Sequence, residues 1–476
     1  MCLKRLPTGI EGLDSVIEGG FPKGSLVLLA GNPGTGKTVF SAKFLYHGAV
    51  DCMENGVYAS FAEGKEHFVE YMRRFGMDFE ELEKEGKVKV LDLITVREPG
   101  VSDVLNRIVE DVLRLKAKRL VIDSLSALAQ AFREKIDVRV ILHTILNKIV
   151  KSAGCTTIVI VEVPYGERHI GFGIEEFVAD AVILLYRGRF EHTLLREMEI
   201  MKLRGTRITH SRLSFTLEGG FHVFLPLIVR GIRKPVGRYE LIAHQKDHFS
   251  TGIRDLDRIL KGLFHRGGYN LLEVENDVAF PIERLIRPTV CNFLNQGHGV
   301  LIVPPQGVSA ETVRNSIAPY VEERLLNQNL KVVEYKVEGE RPLVEPYLLL
   351  LKGESITEDL RELWDATLRL KKNTGKPVFS VVGYDTIEYT YGEKEALKTL
   401  GEDVARIRNL GDLRVNIIRP TVYIADQLRA LAHIHLKVAQ IDGALFLYGI
   451  KPRTSLLNID LTAEEGVSKV KLTPIV

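Results

Sequence analysis

The stretch Gly31-Asn32-Pro33-Gly34-Thr35-Gly36-Lys37-Thr38 decides the fold. It fits the spacing G-x-x-x-x-G-K-[ST], and its flanks fit as well. Ser25–Ala30 before it reads as a short apolar strand, and Val39–Tyr46 after it reads as a helix. A loop that meets phosphate oxygens needs converging backbone N–H groups, hence small residues and unusual φ values at Gly34 and Gly36. The helix N-terminus that follows adds the positive end of its dipole. Lys37 is placed to reach β and γ phosphates, and the Thr38 hydroxyl to ligate Mg²⁺. Residues Gly31, Asn32, Pro33, Gly34, Thr35, Gly36, Lys37, Thr38 and Val39 are the expected phosphate-binding set.

Outward from this loop the chain alternates strand and helix patterns. Gly56–Phe61, Val88–Leu91, Leu120–Asp123 and Thr157–Val161 are short apolar runs, as expected when helices cover both faces of a parallel sheet. Between them, Val101, Val104, Leu105, Ile108, Val109, Val112 and Leu113 form one helical stripe. The fold class is therefore α/β with a mainly parallel sheet. Asp123 ends a buried strand, where active sites of such sheets lie, so it is the second expected Mg²⁺ ligand beside Thr38.

The pattern repeats. Thr8-Gly9-Ile10-x-x-Leu13-Asp14 recurs as Thr251-Gly252-Ile253-x-x-Leu256-Asp257, and Gly19, Phe21, Gly24 and Leu28 recur at the same offset of 243. The strand ending in Asp123 has a counterpart in Val378–Asp385, and Lys202-Leu203-Arg204 one in Lys451-Pro452-Arg453. Two domains are expected, 1–231 and 248–476, with 232–247 as the linker, each large enough for its own core. In the second, the loop aligns with Val274–Pro281, so Phe280 replaces the lysine and Pro281 the threonine. That loop is not expected to bind nucleotide, with Glu273, Glu275 and Asp277 set to repel phosphate. His433 and His435 are too few for a metal site without further ligands.

Composition narrows the rest. A net charge of +2 gives no bulk-charge argument for nucleic acid. No apolar run reaches membrane-spanning length, and the first residues lack a signal-peptide pattern. Four scattered cysteines without a CxxC pair fit a reducing, cytoplasmic setting.

Domain one resembles the RecA-type P-loop ATPases, most closely their KaiC-like branch. The shared stretches are Thr8–Asp14, the phosphate loop, Gly56–Glu63, Ile122–Leu128, Gly173–Asp180 and Lys202–Thr206. The resemblance implies two tandem RecA-like domains, the second degenerate, with ATP and Mg²⁺ bound between neighbours in a ring, usually a hexamer. It also implies that Lys202 and Arg204 reach into the neighbouring subunit's site, an arginine-finger role. Two departures stand out. Where the family carries two adjacent glutamates, this chain reads Ala62-Glu63, so the first carboxylate is missing and Glu63 is the remaining catalytic candidate. Where a histidine often follows the Lys-x-Arg stretch, Arg207 and Ile208 stand, and His210 has no assigned role.

The expected function is a Mg²⁺-dependent ATP-binding protein and slow ATPase acting as a signalling or regulatory switch. Self-phosphorylation, which the resemblance attaches to the second domain, is not expected. One alternative is a RecA/RadA-like DNA-binding ATPase, with Pro164–Gly173 as the candidate loop; it is less favoured, since no basic module precedes Gly9. The other is a non-catalytic, ATP-dependent assembly scaffold.

Overall fold

The computed structural model describes residues 4–94, 101–130, 143, 145–165, 178–227, 239–336, 345–464 and 467–476. The chain divides into two compact units. One is Met1–Pro226 with Asp442–Ala444 and Pro474–Val476; the other is Leu227–Ile441 with Leu445–Thr473.

The first unit holds a nine-stranded sheet. Its strands are β1 (Leu26–Gly31), β2 (Gly56–Ser60), β3 (Val88–Asp92), β4 (Arg119–Asp123), β5 (Thr156–Glu162), β6 (Ala181–Phe190), β7 (Thr193–Leu203), β8 (Arg212–Thr216) and β9 (His222–Val223). Across the sheet they run β3-β2-β4-β5-β1-β6-β7-β8-β9, parallel from β3 to β6 and antiparallel beyond. All six residues of β1 are buried because both faces are covered. Val27 and Leu29 pack toward helix α1 (Lys37–Asp51), while Leu26, Leu28 and Ala30 pack toward α2 (Val101–Leu115) and α3 (Leu125–Gln130). Helix α1 runs five residues past the expected end at Tyr46. In α2, Val104, Leu105, Ile108 and Val112 are buried, but Leu113 is exposed, because the stripe has rotated past it by the fourth turn.

The second unit holds a ten-stranded sheet. Its strands are β10 (Tyr269–Val274), β11 (Val300–Val303), β12 (Leu330–Tyr335), β13 (Leu348–Leu351), β14 (Phe379–Gly383), β15 (Leu413–Ile418), β16 (His435–Ile441), β17 (Ala444–Lys451), β18 (Leu457–Glu464) and β19 (Val467–Pro474). Their order is β13-β12-β11-β14-β15-β10-β16-β17-β18-β19. Apart from the added edge strand β13, this repeats the first sheet position for position, with β10 in the place of β1.

The repeated heptad does the same work twice. Thr8 N and Oγ1 both donate to Asp14 Oδ1 (2.9 and 2.6 Å), and Thr251 N and Oγ1 both donate to Asp257 Oδ1 (2.7 Å each). The intervening glycine is left-handed in both, with φ 73° at Gly9 and 74° at Gly252. Each lets the loop press on the helix behind it: a Cβ would lie 2.2 Å from His47 Cβ in α1, or 2.6 Å from Pro288 O in α4 (Glu283–Asn295). The segment read as a linker, 232–247, is described from 239 onward and packs there on α4, where Asn292 Oδ1 accepts from Ile242 N and its amide donates back to Ile242 O. Among the described residues, no helix is long and apolar enough to cross a membrane.

Candidate functional site

The loop leaves the carboxyl end of β1 and enters α1 at Lys37. Gly34 and Gly36 take φ 75° and 100°, and a Cβ on Gly36 would press on Leu217 Cδ2 at 3.1 Å. The loop is tied down from within and without. Thr35 Oγ1 donates to Asn32 O (2.8 Å), Asn32 Nδ2 to Val163 O (2.8 Å), and Tyr165 OH to Pro33 O (3.1 Å). Val39, one turn into α1, is buried and fixes the helix start on the core.

Lys37 Nζ donates to Gly31 O and Asn32 O, both at 2.9 Å, which holds its charge over the loop. Burial lowers its pKa, opposed by the carboxylates of Glu162 and Asp123. Thr38 Oγ1 donates to Asp123 Oδ2 at 3.0 Å. A hydroxyl and a carboxylate oxygen thus converge at the carboxyl end of the sheet, and this hard-oxygen pair fits Mg²⁺. Burial pushes the Asp123 carboxyl up, against the pull of Tyr58, Thr38 and Lys37. Glu63 sits in the turn after β2, with its amide donating to Ser60 Oγ at 3.2 Å. Burial and then the Asp123 charge raise its carboxyl, while His67 opposes them. Ala62 beside it is exposed.

Lys202 and Arg204 stand elsewhere. Leu203 pairs with Ala181, which pairs with Val27, four residues or roughly 13 Å back along β1 from Gly31. Arg204 is anchored there: its amide donates to Asp180 O (2.9 Å), and its guanidinium lies 3.3 Å from Asp180 Oδ1 with the side chain 57% exposed. Within one chain this pair lies at the opposite end of the sheet from the loop. Of the stretch Gly173–Asp180, residues 173–177 lie outside the described residues, as does most of the Pro164–Gly173 segment.

Further neighbours of the loop lie outside the expected site residues. Tyr58 OH donates to Asp123 Oδ2 at 2.6 Å, and burial, then Asp123, pushes this phenol well up. Glu162 ends β5 directly opposite Gly31. Buried Arg196 donates to Gly34 O at 3.0 Å, and Arg187 pairs across the ladder from it. Only the sheet register brings these residues to the loop.

The second unit differs at each matching point. Phe280 is buried in its core, where the first unit has Lys37. Gly56 pairs with Arg119 and Ser60 with Asp123; Val300 pairs with Phe379, so the place of Asp123 falls on Gly383. Asp385, aligned by sequence, lies two residues further on, inside α5 (Tyr384–Tyr391). Likewise Gly31 pairs with Glu162, while the matching register from Tyr269–Arg414 leads to Arg419. Glu273 does not stand as a free repelling charge. Arg429 donates to it through Nε (3.1 Å) and Nη2 (2.6 Å), His435 Nε2 lies 2.8 Å away, and Lys437 Nζ 3.9 Å. His435 is therefore a buried partner of Glu273, while the exposed His433 accepts from Tyr269 N at 3.1 Å.

Residues 6–225 match the family model described as "ATPase: KaiC", and residues 238–335 match one described as "GvpD basic region 2". That second segment holds 11 Lys and Arg against 12 Asp and Glu, so net charge does not carry its likeness. The UPF0273 protein MJ1359 of Methanocaldococcus jannaschii is 33% identical over 232 residues, 45% of this chain and 93% of that protein. The circadian clock oscillator protein KaiC of Thermostichus vulcanus is 31% identical over 274 residues, 56% of this chain and 51% of that protein. The chain spans about half the length of the KaiC relatives it matches. Among solved structures, the KaiC-like protein PH0186 of Pyrococcus horikoshii OT3 is 39% identical, covering 47% of this chain and 100% of its own, with a TM-score of 0.44.

Proposed function

This chain belongs to the KaiC-like ATPase family, and we propose that its first domain binds ATP with Mg²⁺ and hydrolyses it slowly, as a regulatory switch. The observation that carries this reading is the meeting of Lys37, Thr38 and Asp123 at the end of β1 on an intact phosphate loop. Residues 31–39 would cradle the phosphates, with Lys37 at the β and γ oxygens. Thr38 and Asp123 would hold Mg²⁺, whose charge offsets that of the phosphates. Lys202 and Arg204, remote from their own loop, would serve the site of a neighbouring copy in a ring, for which a hexamer is the family expectation.

Slow turnover follows from Ala62. A carboxylate there would orient or deprotonate the attacking water, a contribution of roughly 10²–10⁴-fold. Glu63, in the turn after β2 and with its carboxyl raised by burial and then by the Asp123 charge, is the carboxylate left for that work. Phosphate release by Ala62→Glu, Glu63→Gln and the unaltered chain tests this. Ala62→Glu is expected to raise turnover by roughly 10²-fold without changing ATP affinity, because the water takes no part in ground-state binding. If Ala62→Glu gives no gain and Glu63→Gln loses nothing, the catalytic reading fails and an ATP-dependent scaffold replaces it.

A further inference from the structure

We propose that Cys52, His47 and Asp51 form a reactive-thiol centre, in which a hydroperoxide oxidises Cys52 with His47 as the base. The three sit at the far end of α1 from the phosphate loop, and the inference does not depend on nucleotide binding. His47 Nε2 lies 3.6 Å from Cys52 Sγ, and its other ring nitrogen, Nδ1, lies 2.6 Å from Asp51 Oδ2. Nucleophile, base and orienting carboxylate are therefore in contact and in sequence, the arrangement that activates a weak nucleophile. Residues 47 and 51 share a helix face four apart, and Cys52 caps the helix directly after them. His47 is held in place by the Thr8-Gly9-Ile10 loop, which packs against its Cβ and Cγ.

A second group closes the centre from the protein side. Arg119 is fully buried, with Nε donating to Glu54 Oε2 (2.9 Å) and Nη1 to Pro7 O (2.9 Å) and Phe44 O (2.7 Å). Its Nη2 lies 2.8 Å from Glu54 Oε2 yet has no aligned hydrogen-bond acceptor. Burial pushes the Cys52 thiol up, and the Arg119 guanidinium beside it opposes that push. The resting group is thus a thiol, and its reactivity depends on a base to take the proton.

The chemistry of the pocket selects the electrophile. The end of α1 presents carbonyl groups rather than backbone N–H donors, so the helix end supplies no oxyanion hole for an acyl group. A hydroperoxide needs no such hole. Sγ attacks one peroxide oxygen, the O–O bond breaks and an S–O bond forms. The thiol proton passes through His47 Nε2 to the departing oxygen, giving a sulfenic acid and water or an alcohol; sulfur loses two electrons and the peroxide gains them.

The test treats the full chain with hydrogen peroxide, traps sulfenic acid with dimedone and reads each cysteine by mass spectrometry across a pH series. Cys155 and Cys291, both buried with thiols pushed up to about 12, serve as internal references. Cys52 is expected to react faster than either at about pH 7.5, at a rate that does not track thiolate formation as pH rises. His47→Gln is expected to lower the rate by roughly 10²-fold at that pH and to restore a steady climb with pH. Asp51→Asn, at an exposed position that does not threaten the fold, is expected to lower it severalfold. A wild-type rate that climbs tenfold per pH unit with thiolate, matched by both variants, overturns the proposal.

Discussion

Glu273 carries a charge that its surroundings can hold only because two cations and a hydrogen-bonding histidine meet it. Burial alone would raise its carboxyl; His435, Arg429 and Lys437 outweigh burial and hold it down at about 2, below its ordinary 4.5. A carboxyl whose folded pKa is depressed stabilises the fold above its unfolded value, and that contribution is lost as pH falls through the folded one. Glu273→Gln leaves Arg429 and Lys437 beside a neutral amide and is expected to cost about 3–5 kcal/mol at pH 7. Urea unfolding of the two proteins should converge between about pH 4.5 and pH 2. An equal gap at both ends of that window would mean that packing, not charge, sets the cost. At this scale the sequence was legible where chemistry dictates residue type and spacing, as at Lys37, Thr38 and Asp123. Tyr58 was not legible, because a tyrosine in an apolar strand reads as core until the ladder places its hydroxyl on Asp123. Glu162 and Arg196 lie far from the loop in sequence and meet it only through strand pairing.

Among the elements, the apolar strands and the amphipathic α2 announced themselves by periodicity, and their observed ends moved by a residue or so. Register was harder. Likeness of the two strand ends sets Asp385 against Asp123, whereas the ladder gives that place to Gly383, since insertions shift sequence position and hydrogen-bonded pairing does not. The same ladder separates Lys202 and Arg204 from their own loop by most of the length of β1. If they act on a neighbour, two crippled chains should rescue each other. Lys37→Ala removes the loop cation and Arg204→Ala the finger; each alone is expected to lose turnover, with a finger commonly contributing roughly 10³-fold or more. Mixed, the intact loop of the Arg204→Ala chain meets the intact Arg204 of the Lys37→Ala chain. Phosphate release well above the sum of the two alone is the expected outcome. A simple sum would place Arg204 outside the neighbour's site.

Over the whole molecule, one topology occurs twice with different contents. The repeated heptad, the sheet order and the glycine contact on the following helix are common to both units, so the duplication is legible from Thr8–Asp14 and Thr251–Asp257 together with the further identities at the same offset. What the second unit lost was only partly visible: Phe280 and Pro281 showed in the alignment, while Gly383 and Arg419 at the other two positions required the register. A phosphate at that edge would find an aromatic core residue in place of the ammonium. The central claim is therefore an unequal pair, with one nucleotide site in the first unit and none in the second. Calorimetric titration of the full chain with ATP and Mg²⁺ to saturation tests it most directly. About one nucleotide is expected to bind per chain, and none to Lys37→Ala, because only one repeat keeps the loop. Two tightly bound nucleotides per chain, or one that survives Lys37→Ala, would contradict it.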